Sequence, residues 1–119
     1  MILLSNIEDI LINERVIKAL ELLGIQVIYG DIINRKHDKY IMFSVYNEED
    51  TIKVDNTNLG EKTYITMNYW YSNPNDLCLY KKIKKLMKEN GFKFDGSKDL
   101  KQDGSYRGKN MDFEYEELL

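Results

Sequence analysis

The chain has 119 residues, a length typical of one folded domain. Hydrophobic residues make up 43% of the chain and charged residues 31%, a composition that predicts a globular fold rather than a disordered segment. The net charge of −3 is mild, and no apolar run approaches the roughly 20 residues that a membrane helix needs. The single cysteine, Cys78, excludes an internal disulfide and a thiolate metal site. We therefore expect one domain over residues 1–119 that stays in the cytoplasm where it is made, unless lysis or an assembly carries it out.

The first expected element is an N-terminal helix with a change of phase. Ser5 and Glu8 form a capping box, which starts the helix near Asn6. Apolar residues before and after Asn13 lie on faces about half a turn apart, and one straight helix cannot bury both. Because Asn13 is a good N-cap, the pattern predicts two short helices or one kinked helix, ending with Gly24 at the C′ position.

Two strands and a long polar segment follow this helix. Runs 25–29 and 40–46 are rich in β-branched and aromatic residues, and a polar turn separates them. Between residues 47 and 61, acidic and amide residues surround only three isolated apolar ones. We predict a long loop or a mobile hairpin for 47–61, because long irregular segments in compact domains are either functional or disordered.

The clearest patterns lie in the middle of the chain. Residues 63–71 alternate with apolar side chains on both faces, which predicts a central strand. Asn73 is a cap and Pro74 suits the first helical position, so a helix is expected from there to Asn90, with Gly91 as C′. Opposite the apolar stripe of this helix lie five lysines: Lys81, Lys82, Lys84, Lys85 and Lys88.

The last part of the chain completes an α+β fold. We expect a short strand at 92–94, a turn-rich segment at 95–104 and a final strand at 106–115. The predicted fold is a small mixed or antiparallel sheet of about four to five strands, flanked by the N-terminal kinked helix and the lysine-rich amphipathic second helix. The expected core comprises nine side chains: Ile65, Met67, Tyr69, Leu79, Ile83, Leu86, Met87, Met111 and Phe113.

No residues have the spacing of an enzyme or metal site. His37 is the single histidine and lies in a charged turn, where we expect it to be solvated. Cys78 lies beside the lysines without a base near it in sequence, which favours an ordinary exposed thiol. No glycine-rich phosphate-binding pattern occurs. We predict that the protein is not an enzyme, has no catalytic residues, and takes neither cofactor nor metal.

The charges are distributed unevenly along the chain. The lysine run 81–85 is the nearest approach to a nucleic-acid footprint, but the net charge is negative and no aromatic residue lies among the lysines to stack bases. We interpret the run as the solvated face of a helix. Acidic residues collect in 47–61 and near the C-terminus, and a self-associating subunit can use such opposite charges to set its register.

The order of elements and three segments resemble the small tail-completion or tail-terminator proteins, which join head and tail in bacteriophages of Firmicutes. The segments are 64–72, 81–87 with the Gly91-Phe92 end, and 99–113, together 33 of the 119 residues. The resemblance implies an α+β subunit that forms a ring, expected to be hexameric, on the head-proximal end of the tail tube. Such a ring stops tube polymerisation and offers a joining surface to the head.

The partners implied by this resemblance are other copies of the chain, the tail tube protein and the head–tail connector protein. No membrane is involved, and nucleic acid enters only as DNA passing through the ring. The location is the virion, after assembly in the host cytoplasm. The segment 47–61 would reach the neighbour or the tube, and seven residues form its predicted interface: Glu48, Glu49, Asp50, Ile52, Val54, Asp55 and Leu59.

Several alternatives remain open at this point. The same features suit a head-completion or neck connector protein, and they suit the tail cap of a phage-like bacteriocin. They do not distinguish contractile from non-contractile tails. A small nucleic-acid-binding regulator, built on the lysine helix, is the least favoured alternative.

Overall fold

The computed structural model describes residues 11–30, 37–54 and 57–118, with the side chains of 52–54 and 58 outside that description. The capping box of Ser5 and Glu8 also lies outside the described residues. Five strands form one sheet: β1 (Gln26–Tyr29), β2 (Lys39–Val54), β3 (Thr57–Tyr71), β4 (Lys93–Asp103) and β5 (Tyr106–Leu118). Together with two helical segments, this sheet confirms the predicted α+β class.

The order across the sheet is β1-β2-β3-β5-β4. β1 runs parallel to β2, and the other neighbouring pairs are antiparallel, so the sheet is mixed. β3 is the central strand, as its two partly apolar faces predicted, because it pairs with β2 on one side and β5 on the other. This order places β4 at one edge of the sheet. The other edge is formed by β1 where it pairs with residues 40–43 of β2, and by β2 itself beyond that pairing.

The first helical segment is kinked as expected, but the kink is at Leu20 and not at Asn13. It consists of α1 (Ile12–Ala19) followed by a 3₁₀ turn at Glu21–Leu23, and Gly24 ends it with a left-handed φ of 68°. The predicted cap at Asn13 is wrong. The N-cap is Leu11, whose carbonyl already accepts the first helical hydrogen bonds, so Asn13 lies inside the first turn.

The second helical segment follows the predicted capping pattern. A 3₁₀ turn at Pro74–Cys78 leads into α2 (Leu79–Glu89). The side-chain oxygen of Asn73 accepts a hydrogen bond from the backbone N–H of Asn75 at 3.0 Å, which caps the turn. Gly91 follows α2 with a φ of 92°, a conformation that glycine adopts without steric cost.

Two polar segments of the chain are strands. Of the two forms predicted for 47–61, a long loop or a mobile hairpin, the structure has a β-hairpin formed by the end of β2 and the start of β3, whereas the segment 95–104, predicted to be turn-rich, is most of β4. The two arms of 47–61 pair mainly with each other, and 95–103 pairs with β5, so ladder hydrogen bonds form despite the polar side chains. The outer strand of each pair lies at an edge of the sheet, where side chains can stay in water.

The core lies between one face of the sheet and the two helices. Seven of the nine predicted core residues are fully buried there: Ile65, Met67, Tyr69, Ile83, Met87, Met111 and Phe113. Leu79 and Leu86 are half-buried against this cluster. Val16 and Leu20 of α1 are also fully buried, so the kinked helix closes the part of the core near β1 and β2.

The opposite face of the sheet has a separate packed region around Trp70. The indole lies across Gly108 of β5, where a Cβ would approach Trp70 Cζ3 to 2.7 Å and Leu100 Cδ1 to 2.9 Å. Tyr40 is fully buried on the same face and packs edge-to-face on Tyr106, with ring centroids 5.8 Å apart. Residue 108 must therefore lack a side chain for Trp70 to cover β5.

Candidate interaction surfaces

The long hairpin of β2 and β3 sets the shape of the molecule. β2 contains 16 residues, which span about 50 Å at the usual rise of roughly 3.3 Å per residue. The molecule measures 53 × 29 × 25 Å, so its long dimension matches the length of this hairpin. We call residues 47–54 and 57–61 the distal hairpin. It extends beyond the part of β2 that pairs with β1.

No described strand pairs with the outer edge of β2 along the distal hairpin. β1 pairs only with residues 40–43, and within the described ranges no strand pairs with the outer edge of β2 over 44–54. The β2–β3 register shifts near Asn47 and on both sides of Ile52. Such bulges are a device of natural edge strands against indiscriminate pairing. No described strand uses the backbone groups of this edge, and its irregular path restricts which partner strand fits.

The structure brings the predicted interface residues together on the distal hairpin. Glu48, Glu49 and Asp50 are exposed and consecutive on β2, and Leu59 of β3 is 39% exposed. The backbones of Ile52 and Val54 lie in β2, paired with Gly60 and Thr57. Asp55 lies outside the described residues. Three acidic residues thus lie at this edge, with Glu48 and Asp50 on one face of β2 and Glu49 on the other, and we define Glu48, Glu49 and Asp50 as the acidic edge.

One side chain of the acidic edge is held by a neighbouring tyrosine. The hydroxyl of Tyr64 donates a hydrogen bond to Glu49 Oε1 at 2.6 Å. This bond to a carboxylate is the main cause that raises the pKa of Tyr64 to about 12. Tyr46 packs against the ring of Tyr64, with centroids 5.8 Å apart. The contact orients Glu49 and leaves Glu48 and Asp50 exposed beside it.

A basic surface lies on α2. Lys81, Lys82, Lys85 and Lys88 are exposed, and the half-buried Lys84 places its ammonium 4.0 Å from the centre of the Phe94 ring. We call these five residues the lysine face. Across the described part of the chain, none of them forms an ion pair. The helix therefore presents five positive charges that no described residue neutralises at close range.

The acidic edge and the lysine face are associated with different edges of the sheet. The acidic edge belongs to β2, on the side of the sheet closed by β1. The lysine face belongs to a helix that packs on β4, through the contact of Lys84 with Phe94, and β4 is the opposite edge strand. β4 itself carries both lysines and aspartates, so α2 supplies the excess positive charge on that side.

A group of carboxylates on the open face of the sheet is already neutralised within the chain. Glu114 lies 3.5 Å from Lys62 Nζ and 3.6 Å from Lys93 Nζ. Burial acts to raise the pKa of Glu114, but its hydrogen bond with Asp95 and the two ammonium groups hold that pKa below its ordinary value. Burial and the same hydrogen bond raise the pKa of Asp95. These residues tie β3, β4 and β5 together.

The residues considered for chemistry are isolated and exposed. Cys78 is an exposed free thiol whose Sγ lies 3.5 Å from the carbonyl of Asn75. His37 is exposed in a bend, and its carbonyl accepts a hydrogen bond from the Tyr106 hydroxyl at 2.6 Å. Among the described residues, no group of three His, Cys, Asp or Glu side chains could hold a metal ion. Within the described residues, the contacts of Cys78 and His37 involve backbone carbonyl groups, and neither contact forms a nucleophile–base pair.

Comparisons with known proteins give no assignment for this chain. No protein-family model matches it, and no curated protein matches it. Over the residues that the structure describes, no helix is long and apolar enough to cross a membrane. The function must therefore be inferred from the surfaces of the chain and from the resemblance of its three segments.

Proposed function

We propose that the chain is a structural virion protein that caps the head-proximal end of a phage, or phage-like bacteriocin, tail tube as a ring. The ring ends polymerisation of the tube and provides the surface that joins the tail to the head. Its partners are other copies of the chain, the tail tube protein and the head–tail connector protein. It acts without catalysis, cofactor or metal, and it resides in the virion after assembly in the host cytoplasm.

The distal hairpin is the observation that carries this proposal. The end of a tube built from identical subunits exposes strand edges and loops that the next subunit would otherwise cover. A cap must reach those groups without adding a new copy of the same surface. A long hairpin, with an irregular edge that no described strand occupies, can pair with or insert between such groups.

The first test is deletion of the gene in the phage or prophage that encodes the chain. We expect electron micrographs to show tails of uncontrolled length without heads, and expression of the intact chain in trans to restore both length and joining. Tails of normal length that lack heads would overturn the capping role and favour a neck connector. Normal, fully joined virions would exclude both roles.

A second test follows the distal hairpin by amide hydrogen exchange, in the free protein and in assembled tails. Ordering a residue costs about 1–2 kcal/mol, and the exposed hairpin offers few buried contacts to offset that cost. We expect weak protection of residues 47–61 in the free protein and strong protection in tails. Strong protection in the free monomer would assign the ring contact to another surface, and no protection in tails would make the hairpin a spacer.

The lysine face supports one alternative, a nucleic-acid-binding regulator. Exposed lysines on one helix can contact phosphates, and such binding has a steep negative dependence on salt concentration. A titration with duplex DNA at several salt concentrations distinguishes the two functions. We expect binding to be weak at physiological salt, and tight, salt-dependent binding would favour the regulator.

A further inference from the structure

We infer that copies of this chain contact one another head to tail, with the acidic edge of one copy against the lysine face of the next. This inference rests on the proposed function, which requires self-association, but it makes a separate claim about which two surfaces meet. It concerns three acidic residues on β2 and five lysines on α2, none of which belongs to the hydrophobic core.

The charges of the two surfaces complement each other. The acidic edge presents Glu48, Glu49 and Asp50 in succession, and all three are exposed. The lysine face presents charges of the opposite sign that no described residue pairs at close range. Bringing the two surfaces together relieves the repulsion within each of them, and complementary charge also steers and orients association.

The positions of the two surfaces determine the symmetry of the contact. A two-fold dimer uses the same patch of both copies, so it could set acid against lysine only if the acidic edge and the lysine face lay side by side in one patch. Because the acidic edge lies on β2 and the lysine face lies on a helix that contacts β4 at the other edge of the sheet, each copy can engage one neighbour with its hairpin and another with α2. Such a head-to-tail contact forms a closed ring when the rotation per copy divides a full turn.

Other charged surfaces of the described chain fit the acidic edge less well. β4 alternates lysines with aspartates, and one of these, Asp99, already pairs with Lys109 at 3.1 Å. Lys62 and Lys93 are both engaged by Glu114. Among these positive surfaces, all of them formed by described residues, the lysine face therefore has the most charge left to attract a neighbour.

Complementary charge reversal tests the inference in solution. One variant carries Glu48→Lys with Asp50→Lys, and the other carries Lys81→Glu with Lys85→Glu. We expect sedimentation equilibrium at high protein concentration and low salt to show weak association of the wild type. Each variant alone should associate about tenfold less strongly or worse, because its two surfaces then repel.

The decisive samples are the mixture and the combined variant. An equimolar mixture of the two variants should regain wild-type association, since the reversed edge of one fits the reversed face of the other. A single chain with all four substitutions should regain it as well. A control with Lys81→Arg and Lys85→Arg keeps the charges and should behave as the wild type, and circular dichroism should show that every variant is folded.

The outcomes separate this inference from the proposed function. A wild type that stays monomeric at millimolar concentration and low salt, or variants that mixing does not rescue, would overturn the head-to-tail contact. If mixing restores association but gene deletion leaves tails normal, the contact holds and the capping function fails. If deletion produces overlong tails but mixing does not restore association, the proposed capping function stands, and the subunits of the ring contact one another through other surfaces.

Discussion

The helix-covered half of the sheet and the distal hairpin use the same two strands in different ways. In β3, Ile65, Met67 and Tyr69 are fully buried beneath the helices, whereas Leu59 of the distal hairpin is 39% exposed. The first region is stabilised by burial of apolar surface. The second is held by its backbone ladder and by surface contacts such as that of Tyr64 with Glu49.

This difference separates the residues that maintain the fold from those available for binding. Regions with few buried apolar contacts open locally at low free-energy cost, and they can be ordered by a partner. The distal hairpin has this character, while the helix-covered half keeps its shape. A subunit built in this way can adapt one end to its neighbours without disturbing its core.

The largest expected effect is in the helix-covered half. Ile83→Ala removes a fully buried side chain from the middle of α2 and should lower the free energy of unfolding by about 2–5 kcal/mol. Urea denaturation measures the change. Leu22→Ala is the matched control, because Leu22 is 86% exposed and should change stability by less than about 0.5 kcal/mol. A similarly small loss at Ile83 would show that the orientation of α2 is wrong.

A smaller effect is expected on the opposite face of the sheet. Gly108→Ala places a Cβ within 2.7 Å of the Trp70 ring, and this overpacking should cost about 1–3 kcal/mol. The near-ultraviolet circular dichroism of the single tryptophan should change with it. Ser97→Ala, at an exposed site on neighbouring β4, serves as control. Unchanged stability and spectrum at position 108 would mean that the indole does not cover β5.

Shortening the distal hairpin should affect stability less than either core change. Glu49 and Lys62 are directly paired, so residues 50–61 can be replaced by Asn-Gly, a two-residue hairpin turn. We expect the free energy of unfolding to change by less than about 1 kcal/mol, because Gly60 is the one buried residue among those described in the removed segment.

The Ile83→Ala substitution can also be made in the shortened chain. Ile83 lies in the core cluster and the removed segment does not. The substitution should therefore lower the free energy of unfolding by the same amount in the shortened chain as in the full chain. Loss of folding on shortening, or a clearly different cost for Ile83→Ala, would show that the hairpin and the core are one cooperative unit.

The smallest effect concerns ionisation in the hairpin. The bond to Glu49 raises the pKa of Tyr64 from 10.0 to about 12. Because the folded state favours the protonated tyrosine, this contribution to stability is complete below pH 10 and is lost as pH rises through about 12. The titration of Tyr64 is measured as the tyrosinate absorbance of the wild type minus that of Tyr64→Phe, followed as a function of pH. Glu49→Gln should lower the midpoint towards 10, and an unchanged midpoint would exclude the bond in solution.

Segments with a strong local pattern were predicted well. The alternation in β3, the Asn73 cap, Gly91 and the apolar stripe of α2 each depend on residues close in sequence, and the structure confirms them. Most of β4 was not recognised as a strand, and a hairpin was only one of two alternatives for 47–61. In both segments the polar side chains carry no amphipathic signal. The Trp70 contact with Gly108 has no local signal at all, because it joins two different strands.

The sequence by itself determined the class of fold, the two helical segments, the central strand and most of the core, because caps and periodic burial act over a few residues. It also determined that acidic residues cluster in 47–61 and lysines in 81–88. Only the tertiary structure made strands of 47–54 and 95–103 and associated the two charged surfaces with different edges of the sheet. Those features depend on pairing between residues far apart in the chain, and that pairing is decided by the whole sheet.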